Sequence, residues 1–200
     1  MQEAATRNMP VQAHAHGDEG AMAAVKAGVR SIEHGTYLSD APLAEMKRRG
    51  TYLDPTCTTV VDLTGAGGDY DVPALRIRGA HMLPRLRDTI VRAHKLGVAI
   101  VTGGDTGYGP NSLIRIGQEV GHFVEMGFTS LEALQSATIR NAEMLRLEKS
   151  IGVIESGFEA DLIAVEKNPL EEITTVQDPL LVISNGRIAL DRLDFGRGVK

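Results

Sequence analysis

Four residues have the types and spacing to hold a metal ion that activates water: His14 and His16 in PVQAHAH, His34 closing VRSIEHG, and Asp105 closing VAIVTGGD. Imidazole and carboxylate are ligands of divalent ions that lower the pKa of bound water. Residues two apart on an extended strand project to the same face, so His14 and His16 point together. An HxH pair alone is a weak signal, and a surface or core pair is the ordinary alternative. His34 shifts the preference, because it ends the next short apolar run in the same manner. Adjacent parallel strands lie about 4.8 Å apart, so histidines at matching heights can share one ion at roughly 2.1 Å from each. Asp105 ends a fourth such run, where a carboxylate can bind an ion through one oxygen and take a proton through the other. An isolated aspartate there reads as a turn residue. The recurrence of such groups at successive strand ends makes a shared site the better reading.

These side chains need strands that run the same way and end together. The sequence supplies them as a repeat. An alternating run from Pro10 to His16 precedes a helical GAMAAVKAG, and a strand ending at His34 precedes APLAEMKRRG, a helix stopped by Gly50. TYLDPT is a third strand, and Val98 to Thr102 a fourth. Between them lies an insertion, loop-like from Gly65 and mostly helical from Pro73 to Leu96, where Gly97 ends it. Two further helical stretches follow, SLIRIGQEVGHFVEMG and SLEALQSATIRNAEMLRL, the second begun by Thr129 and Ser130 as its cap. Beyond IGVIESGFEA the period shortens to β runs, DLIAVE and LLVISNGRIAL, with an Asn185-Gly186 hairpin turn. Strands alternating with helices imply a parallel sheet covered by helices or closed into a barrel. The expected class is α/β, a partial TIM-like (β/α) barrel over residues 1–150 with a small C-terminal β lobe over 151–200. In such barrels the active site lies at the C-terminal ends of the strands.

Composition narrows the function classes. The chain has 200 residues, 42% of them hydrophobic, enough for one sizeable core with a small appended lobe. Lys and Arg number 21 against 26 Asp and Glu, and no basic stripe is present, so nucleic acid is not an expected partner. No apolar run approaches the roughly 20 residues of a spanning helix, and MQEAATRNMPVQAHA lacks the apolar centre of a secretory signal, so no membrane partner and a cytoplasmic location are expected. Cys57 is the single cysteine, which leaves imidazole and carboxylate as metal ligands. That ligand set favours zinc and also suits manganese, iron or cobalt. GAGGD follows no strand and lacks the Lys-Ser/Thr pair of a phosphate loop.

Taken in order, the motifs resemble the amidohydrolase superfamily, in its imidazolonepropionase-like and Xaa-Pro dipeptidase-like branch. VQAHAHGDEG is similar to the fifth barrel strand, GVRSIEHGTYL to the sixth, TYLDPT to the seventh and VAIVTGGDTG to the eighth. ALQSATIRNAEML and IGVIESGFEADLIAVEKNP resemble the closing helix and the return into a β-sandwich lobe. The resemblance covers nearly the whole chain, and the ordered series is more specific than any one motif in it. It implies a metal-dependent hydrolase of C–N bonds in amides, cyclic amides or dipeptides. His14 and His34 match the metal histidines, and Asp105 the metal aspartate that also serves as general base. His16 matches a position where relatives carry a polarising tyrosine or histidine. Another register makes His16 the ligand and Glu19 an acid-base partner, as in deaminases. The family's first-strand HxH pair and fourth-strand carboxylated lysine, or equivalent glutamate, have no counterpart here. The expectation is therefore a C-terminal half, completed by a homo-oligomer or a complementing N-terminal half, because open strand edges invite pairing. A non-catalytic fragment is the competing reading. His81, His94 and His122 fall on helices and read as solvated or packing residues. Tyr108 and Asn111 sit in the loop after Asp105, within reach of a substrate. Asp161 reads as the organiser of the turn into the β lobe.

Overall fold

The computed structural model describes residues 1–65, 71–105 and 115–193. After a short helix α1 (Gln2–Thr6), strand β1 (Gln12–Ala15), helix α2 (Asp18–Ala27), strand β2 (Ser31–His34), helix α3 (Asp40–Arg49) and strand β3 (Tyr52–Asp54) follow one another. The three strands form a parallel sheet in chain order. Gly28 and Gly50 end α2 and α3 in the left-handed conformation, at φ 90° and 68°, which a residue without a Cβ adopts at little cost. Past β3 come α4 (Cys57–Asp62) and the long α5 (Pro73–Leu96), which Gly97 stops.

The expected fourth strand is reduced to a bridge. Leu53 pairs in parallel with Ile100, through Leu53 N–H to Ala99 O at 2.9 Å and Val101 N–H to Leu53 O at 3.0 Å. The ladder cannot extend because Pro55 has no N–H to donate; the Thr102 N–H, which points away from β3, goes to Ser136 O at 3.3 Å. Thus 98–102 occupies the fourth position in order while making few sheet bonds.

One face of the sheet is apolar. Ala15, Ile32, Leu53 and Ile100 pack against Val25 of α2, Leu43 and Met46 of α3, and Leu86 and Ile90 of α5, all buried. Alternation places Gln12, His14, Ser31, Glu33, Tyr52 and Asp54 on the opposite face, since His14 is in register with Glu33 and Glu33 with Asp54. The sheet is therefore a helix-backed platform whose polar face leads to the strand ends.

Helices α6 (Arg115–Glu125), α7 (Ser130–Ala137) and α8 (Ile139–Leu145) complete the α/β portion. Thr129 caps α7 in a full capping box with Glu132, while Thr138, at φ −124° and ψ −101°, splits the last expected helix in two. A second, antiparallel sheet contains β4 (Leu162–Ala164), β5 (Leu181–Ser184) and β6 (Arg187–Asp191). Its hairpin turns through Asn185 and Gly186, both at positive φ, and Asp161 accepts the Asn185 N–H at 2.7 Å. The described residues form two three-stranded sheets and no closed barrel. None of their helices is long and apolar enough to cross a membrane.

Candidate metal centre

His14 lies in β1, His16 just after it, and His34 is the last residue of β2. Register alone would not unite them: His34 pairs with Ala15, and alternation from buried Ile32 would aim it at the helices. A left-handed backbone at His34, φ 71°, breaks the alternation. Its ring instead joins the other two, with centroids 4.5 Å from His14 and 4.9 Å from His16, while His14 and His16 stand 4.7 Å apart. One ligand atom from each of the three lies within 4.8 Å of the others.

Two of the rings are held from behind. His16 Nδ1 is 2.8 Å from Thr36 Oγ1, and His34 Nδ1 is 2.7 Å from Thr56 Oγ1. Both threonines are buried. With Nδ1 donating to a hydroxyl, Nε2 keeps its lone pair for a cation, the arrangement that fixes tautomer and ring plane in metal sites. Burial, and then the neighbouring His16 and His14, push the His34 pKa down to about 4. Burial and His14 lower that of His16. Both imidazoles are therefore neutral at pH 7, the form that binds metal.

Asp105 stands at the exit of the 98–102 segment with φ 41°, half-buried. Its negative charge acts on His34 against the other influences, although it lies outside the tight three-histidine group. Glu19 is exposed on the first turn of α2 and is also outside that group. The other histidines do packing work. His94 stacks on Phe128 at 3.8 Å and faces Glu132, and His122 pairs with Glu125. His81 is exposed, 6.0 Å from Tyr37, whose ring is 6.5 Å from His16. Tyr108 and Asn111 lie outside the described residues. Cys57 is buried, and its thiol is pushed well up by burial, so it is inert as a nucleophile.

Two polar features around the site were not anticipated. Glu33 and Asp54 are cross-strand neighbours on the polar face, and Ser31 Oγ donates to Glu33 Oε1 at 2.5 Å. Burial, reinforced by the charge of Glu33 and a hydrogen bond to it, raises the Asp54 pKa well above its ordinary value. The only signal was register: Glu33 sits one residue inside the end of β2, and Asp54 is the last residue of β3. The second feature is Arg115, fully buried at the start of α6, which donates to Asp105 O at 2.6 Å. A helix-opening arginine carries no sequence mark that separates it from a solvated one.

A cluster of three histidines at the C-terminal ends of parallel, helix-backed strands defines an α/β protein of amidohydrolase-type architecture. More particularly, the chain belongs to the amidohydrolase family, whose model matches residues 1–189. It is 35% identical over 189 residues to the ochratoxinase of Aspergillus niger, covering 91% of this chain and 38% of that protein. Among solved structures, a Xaa-Pro dipeptidase with methionine bound in its active site is 37% identical, with TM-score 0.84, over 94% of this chain and 47% of that one. A prolidase complexed with N-methylphosphonate-L-proline is 31% identical, with TM-score 0.86, over 95% of this chain and 47% of that one. The chain thus spans less than half the length of these relatives.

Proposed function

We propose that this chain supplies the C-terminal half of a metal-dependent hydrolase of C–N bonds in small amides or dipeptides. The partial TIM-like barrel is part of that reading: β1, β2, β3 and the 98–102 segment are its fifth to eighth strands, and the β4–β6 sheet contributes to its lobe. The observation that carries the proposal is the convergence of three imidazoles, two braced by buried threonines, where a parallel sheet ends. That donor set suits a divalent cation, zinc first, bound by His14 and His34 with Asp105. When bound, such an ion would supply Lewis acidity and a water of lowered pKa. His16 would donate from Nε2 to a carbonyl oxygen as it gains charge in the tautomer whose Nδ1 accepts the Thr36 hydroxyl, or, with Nδ1 donating to Thr36, exchange the ligand role with His14. Asp105 would take the proton from water and return it to the leaving nitrogen. The names of the similar solved proteins, a Xaa-Pro dipeptidase and a prolidase bound to a proline phosphonate, favour a dipeptide ending in proline.

The test is zinc uptake and dipeptide cleavage by the purified chain. One zinc per chain is expected, with affinity lost in a His14→Ala/His34→Ala variant. Release of proline from a Met-Pro dipeptide should fall at least about 100-fold in Asp105→Asn, in keeping with loss of a general base. Zinc affinity unchanged by the double histidine substitution would refute the site. A second reading, activity only after association with a complementary half or a second copy, is favoured by the edge of β1, which among the described residues pairs with β2 alone. It predicts self-association in sedimentation, or turnover that appears only when an N-terminal half is added.

A further inference from the structure

We propose that Arg115 is a positioning residue for Asp105: its guanidinium, seated on two successive carbonyls and paired with Asp62, holds the strand exit in the turn that keeps the Asp105 carboxylate near His34. This rests on the reading of Asp105 as part of the metal centre. Arg115 is fully buried, yet its charge is not stranded. Nη1 donates to Asp105 O at 2.6 Å, to Gly104 O at 3.3 Å and to Thr59 Oγ1 at 3.1 Å, while Nη2 meets Asp62 Oδ2 at 2.7 Å. Thr59 Oγ1 also donates to Gly104 O at 3.3 Å. The segment so gripped is the one where Asp105 adopts φ 41°, a region that non-glycine residues seldom enter. Rotating Asp105 back to an ordinary conformation would swing its carbonyl off Nη1 and leave a buried charge short of an acceptor, which is costly.

The clamp has a fixed base. Glu119, one turn along α6 from Arg115, is fully buried and accepts the N–H groups of Cys57 and Thr58, each at 2.7 Å, and Thr58 Oγ1 at 2.8 Å. Helix α6 is thereby locked to the start of α4, directly after β3. Arg115 then reaches from this anchored helix to the exit of the neighbouring strand segment. A planar fork with several donors can hold two carbonyls and a carboxylate together; a lysine ammonium, a single point, satisfies fewer of them.

The experiment compares Arg115→Met, Arg115→Lys, Asp105→Asn and Glu119→Gln in the full chain, using Co²⁺ as the probe. Arg115→Met is expected to weaken Co²⁺ binding about tenfold and to change its visible absorption as Asp105→Asn does. The Arg115→Met/Asp105→Asn double variant should be no worse than either single one, as coupled residues behave. Arg115→Lys should restore part of the affinity. Glu119→Gln, which loosens the same helix junction without touching the Asp105 carbonyl, should lower thermal stability and shift the spectrum less than Arg115→Met does. Additive losses in the double variant, or an equal spectral change in Glu119→Gln, would overturn the proposal. A wild-type chain that takes up no Co²⁺ would defeat the metal reading instead. The positioning role is then decided by the crystal structure of Arg115→Met: Asp105 leaving the left-handed region supports it, and an unmoved Asp105 refutes it.

Discussion

Acidification of the metal-free chain should cost stability through His34, by an amount the structure lets one work out. Its folded pKa is about 4 against an ordinary value of 6.5, with burial as the leading cause and the positive charge that His16 and His14 would carry as the next. Above pH 6.5 the imidazole is neutral in both folded and unfolded chains, so no linkage operates. Between pH 6.5 and 4 the unfolded chain takes up a proton that the folded chain refuses, and stability falls as pH falls. Below 4 both forms are protonated and the loss is complete. At 1.36 kcal/mol per tenfold change in proton affinity, the full loss is at most about 3.4 kcal/mol. His34 is only partly buried, and discounting for solvent screening leaves about 1–2 kcal/mol. The assay is urea unfolding of the wild type and of His34→Gln at pH 7.5, 6.0 and 4.5. Groups common to both proteins, Glu33 and Asp54 among them, cancel in the difference, so the wild type should lose about 1–2 kcal/mol more than the variant by pH 4.5. An imidazole resonance assigned to His34 should titrate near pH 4. A constant gap between the two proteins, or a His34 midpoint at 6.5 or above, would refute the account of how the site stays neutral.

Two further expectations concern the scaffold. A Cβ placed on Gly103 would lie 2.1 Å from Asp54 Oδ2 and 2.4 Å from Oδ1, so Gly103→Ala should destabilise the chain by about 1–3 kcal/mol, read from its denaturation midpoint. If Gly103→Ala proves neutral, the carboxyl pair is not packed against the strand exit as described. Thr129→Ala removes the acceptor of the Glu132 N–H at 3.1 Å and should cost about 1 kcal/mol, a fall of about 2–4 °C in Tm for a chain of this size. A Tm unchanged within 1 °C, taken as roughly a quarter of a kcal/mol on the same scale, would show that α7 does not depend on its capping box.

The succession of strands and helices was legible because it is written in apolar period and in stop residues: Gly50 and Gly97 end helices where expected, and Asn185-Gly186 makes the expected hairpin. The length of the fourth strand was not, because apolar content does not reveal that Pro55 withholds the next donor of the β3 ladder. The histidines were legible as strand-end residues, but the supposed matching heights were wrong in detail: His14 is in register with Glu33, and His34 with Ala15. The Glu33–Asp54 pair was hidden for a related reason. Carboxylates far apart in sequence read as solvated, and only register shows that they meet.

What reconciles the register with the convergence of the rings is strain placed at one end of the sheet. Among the described residues, six non-glycine residues have positive φ, and three of them, His34, Thr56 and Asp105, stand at or beyond the C-terminal ends of successive parallel strand segments. Two of the others are asparagines, which tolerate that conformation, and Arg146 merely ends α8. A β-branched threonine does not tolerate it well, and such positions persist only where surrounding contacts over-determine them. Here the strained residues supply each other's restraints: Thr56 Oγ1 meets His34 Nδ1, and the Asp105 carbonyl is seated on Arg115. The backbone distortion that turns His34 from the helix side to the His14 side is therefore stabilised by the same hydrogen bond that orients its ring. Ring convergence follows from how the strands end as much as from which residues end them, and three imidazoles are brought together before any cation is added.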